Sequence, residues 1–247
     1  MARSNLFYFR HFVIDQANCA MKVGADSMLL GSLVPTESAL RVLDIGTGSG
    51  VLALMMAQRT KGMIDGVEIE ENAYIQAVKN ASDSSWRGRI KIYHTSLQNF
   101  NPPDIRYDLI ISNPPYFVAH NSLKSTSPQK SRANARDHNQ LSFEDLLFHA
   151  KRLLAQQGKF YVILPFAAKQ EFINKAEIQQ LYISEEIDIR SKPQAPFIRV
   201  ILGFTHQQNS QPITSEFTIY KEEKIYTEAY LKATENFHAH NMRLRNK

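Results

Sequence analysis

An α/β fold on a doubly wound, mostly parallel sheet is what this 247-residue sequence predicts. Three observations carry that reading. From residue 41 onward, short apolar runs alternate with helical stretches. The runs stop at glycine or at a polar residue, as buried strands do. Two late β-rich runs flank a Pro-rich connection and read as an antiparallel closing pair.

The elements follow in order. RVLDI (41–45) is aliphatic, ends at Gly46 and reads as the first buried strand. Val51 to Thr60 is a compact apolar helix that opens directly after the glycines. GMIDGVEI (62–69) is a second strand and Glu71 to Ala81 a second helix. IKIYH (90–94) and YDLIIS (107–112) are the third and fourth strands. SFEDLLFHAKRLLAQQG (142–158) has a helix signature, with Ser142 as cap, Asp145 three residues later and Gly158 as the stop. KFYVILP (159–165) is the fifth strand, followed by a helix over about 167–181. YISEEIDIR (182–190) and RVILGFTH (199–206) form the closing pair. In such sheets ligands bind outside the carboxyl ends of the strands.

Bulk properties narrow the function classes. The single cysteine, Cys19, excludes an internal disulfide and a cysteine-based metal cluster, and fits a reducing, cytoplasmic setting. The start MARSNLFYFRHFVID lacks a signal-peptide apolar core, and no apolar run approaches the roughly 20 residues of a membrane span. A net charge of +5 and a pI near 9.2 suit an acidic partner such as nucleic acid.

Two strand ends carry chemistry. The first runs into Asp44-Ile45-Gly46-Thr47-Gly48-Ser49-Gly50, where glycines allow a tight turn and close approach of backbone to a ligand. The spacing is GxGxG, not the dinucleotide fingerprint GxGxxG, and it resembles motif I of the S-adenosylmethionine-dependent methyltransferases. There the loop lies under the amino-acid part of the cofactor, implying contacts at Asp44, Gly46, Gly48 and Gly50. Glu68 ends the second strand some 20 residues on, where a carboxylate can accept from both ribose hydroxyls.

The tripeptide Asn-Pro-Pro occurs twice. Asn101-Pro102-Pro103 follows a polar stretch and precedes Asp104, and reads as a connecting turn. Asn113-Pro114-Pro115-Tyr116 ends the apolar fourth strand, beside the first across the switch point. It is motif IV of methyltransferases acting on planar amino or amide nitrogens. Such a nitrogen is a poor nucleophile because its lone pair is delocalised. The Asn113 side-chain oxygen and the Pro114 carbonyl can each accept one N–H and orient it, and Tyr116 offers a flat face for an extruded base.

Over nearly its whole length the chain resembles the bacterial tRNA adenine-N6 methyltransferases that modify the adenosine next to the anticodon of a valine tRNA. CAMKVGADSMLLGSL (19–33), STSPQKSRANARDHNQLSFEDLL (125–147) and YTEAYLKAT (226–234) carry the more specific part of that resemblance. It implies a Rossmann-like class I fold of seven strands with an antiparallel last strand. The N-terminal extension, 1–34, would cover the cofactor, and 35–247 would form the methyltransferase domain. It further implies S-adenosylmethionine as cofactor and tRNA as partner, with neither membrane nor metal, in a molecule expected to be monomeric. Lys22, Gly24 and Asp26 lie in the covering segment, with helix capping and packing as their other reading. After the third strand the family often carries an Asp that can contact the cofactor adenine. Ser96 stands there, able to hydrogen-bond without a charge.

The loop 117–140 starts at the proposed stacking residue and holds Lys124, Lys130, Arg132 and Arg136, with Asp137 its one acid. That implies phosphate contacts. Three other readings were weighed. A protein-glutamine N5-methyltransferase uses the same tetrapeptide, but the basic loop and the KVGADS segment speak against it. A catalytically silent RNA-binding module leaves both motifs idle, and a nicotinamide dehydrogenase leaves motif IV unexplained.

Overall fold

A computed structural model describes residues 5–19, 21–36, 38–115, 141–208 and 211–239. A hairpin of β1 (Leu6–Tyr8) and β2 (Val13–Asp15) and the helix α1 (Ala25–Leu33) precede the main sheet. Then come β3 (Arg41–Ile45), α2 (Val51–Arg59), β4 (Met63–Glu68), α3 (Glu71–Ser82), β5 (Ile90–His94) and β6 (Tyr107–Ser112). The second half holds α4 (Phe143–Leu153), β7 (Leu154–Pro165), α5 (Lys169–Ile178), β8 (Tyr182–Arg190), β9 (Phe197–Thr205) and β10 (Ile213–Thr218). A small hairpin of β11 (Tyr220–Glu222) and β12 (Ile225–Tyr226) leads into α6 (Glu228–Thr234).

The sheet order is β10-β8-β9-β7-β6-β3-β4-β5. β9 runs antiparallel to β7 and β8, and the remaining pairings are parallel. Successive side chains feed opposite faces. Val42 enters one core with α1, α2 and the N-terminal hairpin, and Leu43 enters the other with α4 and α5. Phe9, Phe12 and Ile14 of the first segment lie in the same core as Val42 and Leu109. Among the described residues no helix is long and apolar enough to cross a membrane.

The first seven strands of this sheet in chain order match the expectation, and the last of them, β9, is the antiparallel one. An eighth strand, β10, adds parallel to β8 at the edge. Its sequence ITSEFT buries only Phe217, so an exposed edge strand left no periodic signal. The helix over 142–158 is also shorter than expected. The Ser142 Oγ caps it by accepting the Asp145 N–H at 3.0 Å, but α4 ends at Leu153 and the chain is already extended at Leu154. Gly158 stops nothing. It sits within β7, where a Cβ would come 2.7 Å from the Tyr107 carbonyl oxygen.

The fold separates the two Asn-Pro-Pro copies. Asn113 follows the carboxyl end of β6, whereas Asn101 lies ahead of its amino end, its Oδ1 accepting from Arg152 Nη1 at 2.9 Å. Asn101→Ala, which removes one exposed bond, should therefore leave methyl transfer within about twofold of wild type. A large loss in a steady-state assay would show that the first copy is not merely a turn.

Candidate active site

The carboxyl ends of β3, β4 and β6 meet at one edge of the sheet, with Ile45 in register with Val67 on one side and Ser112 on the other. The glycine loop leaves β3 there. Gly46, Gly48 and Gly50 have φ of 70°, 57° and 82°, a left-handed region that side chains disfavour. A Cβ at Gly46 or Gly48 would meet nothing within 4 Å, so the backbone itself faces open space. Gly50 does something else. It caps α2, and a Cβ there would reach Ala77 of α3 at 3.4 Å.

Asp44 braces this loop from beneath. It is fully buried, and its Oδ2 accepts from Thr47 Oγ1 at 2.5 Å and from the Ala53 N–H at 3.1 Å, joining loop to helix. Its Oδ1 is buried with no hydrogen-bond partner, an acceptor held in reserve at the site. Burial pushes the Asp44 carboxyl up to about 7, with the two donors pulling it back and the nearby Glu68 adding to the rise. A carboxyl raised above its unfolded value stabilises the fold fully below that value, and this contribution is lost as pH rises through about 7. Wild type should thus lose stability against Asp44→Asn between about pH 5 and about pH 8 in denaturant unfolding. Parallel pH profiles would show that Asp44 does not titrate there.

Glu68 ends β4 and is nearly buried. Its Oε2 accepts the Gly48 N–H at 2.8 Å, and its Oε1 accepts the Ile69 and Glu70 N–H groups at 2.9 Å. A carboxylate has about four acceptor positions, so three are filled by backbone. A ribose diol taken by both oxygens would have to share or displace the bond from Gly48.

Between the glycine loop and the first turn of α1 lies a cavity of about 300 Å³. Gly46, Thr47, Gly48 and Ser49 form one wall, Lys22 to Ser27 the opposite one, and Asn113 and Arg199 reach it from β6 and β9. Gly24 is the N-cap residue of α1, the Lys22 ammonium donates to the Gln16 carbonyl, and Asp26 pairs with Arg199 Nε at 2.9 and 3.0 Å. The half-buried Asn113 donates its Nδ2 to Ser27 Oγ at 3.2 Å.

A family model described as methyltransferase small domain matches residues 16–186, more than half of the chain. The chain belongs to this methyltransferase family. The enzyme is 38% identical over 233 residues to the tRNA1(Val) (adenine(37)-N6)-methyltransferase of Parabacteroides distasonis, covering 94% of this chain and 97% of that protein. Relatives of the same name in Yersinia enterocolitica (37% identical, 96% and 94% covered) and Trichodesmium erythraeum (39% identical, 95% and 98% covered) match over similar lengths. Among solved structures, a predicted O-methyltransferase from Agrobacterium tumefaciens superposes with a TM-score of 0.66 at 19% identity, over 87% of this chain and 98% of that one. The CcbJ methyltransferase of Streptomyces caelestis gives 0.55 at 14% identity, over 74% and 90%. These structures share the Rossmann-like class I fold, and S-adenosylmethionine is the methyl donor.

The cavity of this methyltransferase fits that donor. Open space over Gly46 and Gly48 leaves room for the ligand chain, the unpartnered Asp44 Oδ1 suits a cationic group, and Glu68 stands at the next strand end. Lys22, Gly46, Gly48 and Asn113 line the cavity together, with Asp44 and Glu68 behind the loop. Ser96 is not among the lining residues. Its hydroxyl accepts the Asn99 N–H at 3.2 Å and so caps the turn after β5. Tyr116, Lys124, Lys130, Arg132 and Arg136 lie outside the described residues. Sequence reasoning missed Ser27 and Arg199 as wall residues. Arg199 has no local signal, because only the antiparallel run of β9 brings it to this edge.

Proposed function

We propose that this enzyme transfers a methyl group from S-adenosylmethionine to the exocyclic N6 of an adenosine in tRNA, at the position that its relatives' names give as adenine 37 of tRNA1(Val). One observation carries the proposal: Asn113, at the carboxyl end of β6, opens onto the same cavity as the glycine loop of β3. A planar amine presented at Asn113 would therefore lie next to the methyl-donor site.

The chemistry that S-adenosylmethionine supplies when bound is a methyl group on a positively charged sulfur, open to in-line attack. The protein's part is placement. Asn113 Oδ1 and the Pro114 carbonyl accept the two N–H bonds of the amine and turn its lone pair toward the methyl group. Pro114, buried, and Pro115 after it stiffen the backbone that aims this carbonyl. Acceptors set in advance act most strongly as the nitrogen becomes positive and pyramidal. Tyr116 stacks on the extruded adenine, and Lys124, Lys130, Arg132 and Arg136 neutralise phosphates around it.

Labelled methyl transfer decides between this reading and its nearest rival. Offered tRNA and a release factor together, the enzyme should label the tRNA, and nucleoside mass analysis should find N6-methyladenosine. Label on the release factor alone would overturn the proposal in favour of glutamine N5 methylation.

A further inference from the structure

We infer that Ser27 is a positioning residue for methyl transfer, one that sets which end of the Asn113 amide faces away from α1; the inference rests on the reaction proposed above. An asparagine side chain works as an acceptor only when its oxygen points at the amine. Turned by 180°, it presents an NH2 group that repels the N–H bonds it should receive. Rotation about its last torsion is soft, so something outside the residue must choose between the two orientations.

Ser27 makes that choice. It is buried in the first turn of α1, and its Oγ accepts from Asn113 Nδ2 at 3.2 Å. With the NH2 end engaged by α1, the oxygen is turned off that helix. The neighbouring residue keeps Ser27 in place. Asp26 takes Arg199 Nε on both carboxylate oxygens at 2.9 and 3.0 Å, tying the first turn of α1 to β9. Two adjacent residues of one helical turn thus span the cavity, one gripping the sheet and the other orienting the amide. Ser112, just before Asn113, adds a bond from its Oγ to the Ile45 carbonyl at 3.0 Å, so the backbone beneath the amide is anchored to β3. Orientation is then the property left to Ser27.

The test is a double-mutant cycle read by single-turnover methyl transfer to tRNA with saturating S-adenosylmethionine. Ser27→Ala should lower the rate about 3- to 10-fold, the size of one net hydrogen bond, with affinities for S-adenosylmethionine and tRNA within about twofold of wild type. Ser27→Thr keeps the hydroxyl and should recover most of the loss. In an Asn113→Ala background, where no amide remains to orient, Ser27→Ala should have no further effect. A full effect in that background, or a loss confined to S-adenosylmethionine affinity, would reduce Ser27 to packing or cofactor contact and overturn the inference. Wild-type enzyme that labels no tRNA would remove the reaction and the inference with it.

Discussion

Asn113→Ala should slow methyl transfer on the order of 100-fold or more while binding of S-adenosylmethionine and tRNA largely persists. The side chain lines the cavity at the end of β6, and its removal leaves the glycine loop and its braces untouched. What is lost is an acceptor whose interaction strengthens as the amine attacks, so the deficit falls on the chemical step. The buried Ser27 hydroxyl also loses its partner, which adds a modest stability cost. Single-turnover rates with separate binding measurements make the distinction. A variant that loses affinity but keeps its rate would mean that Asn113 only holds the substrate.

Gly48→Val should abolish measurable S-adenosylmethionine binding. Gly48 has φ of 57°, which a β-branched residue adopts only under strain, costing roughly 1–3 kcal/mol. Relief by a local rearrangement would break the Gly48 N–H bond to Glu68 Oε2 and so disturb both strand ends at once. If the backbone held instead, the new side chain would project into the open space over the loop. Asp44→Ala should abolish binding by another route, since it removes the buried acceptor that ties Thr47 to the start of α2. Calorimetry on both variants, with thermal melts to confirm folding, checks this. Wild-type affinity in both would sink the glycine loop as the cofactor site.

Much of this was written locally in the sequence. The strands 41–45, 90–94, 107–112 and 182–190 lie at the residues their apolar runs mark, because burial on both faces of a parallel sheet leaves an uninterrupted aliphatic stretch. The glycine spacing after β3 and the Asn-Pro-Pro at the end of an apolar strand were legible for a similar reason. Turn chemistry and the motif's residue types act over a few residues, so they survive in one dimension. The elements that escaped are those decided at a distance. Gly158 reads as a helix stop but serves the approach of Tyr107, some 50 residues earlier. Ser96 matches a cofactor position by alignment, yet its hydroxyl is committed to a turn. Glu68 carries the expected carboxylate, but the backbone around it fills most of its acceptor positions. Arg199 reaches the cavity because β9 runs backward, and Ser27 because α1 crosses over the ends of β3 and β6. Local residues determined which groups could bind and react. Only the packing of distant segments decided which of those groups share a cavity and which already have partners, because hydrogen-bond satisfaction depends on everything within reach in space.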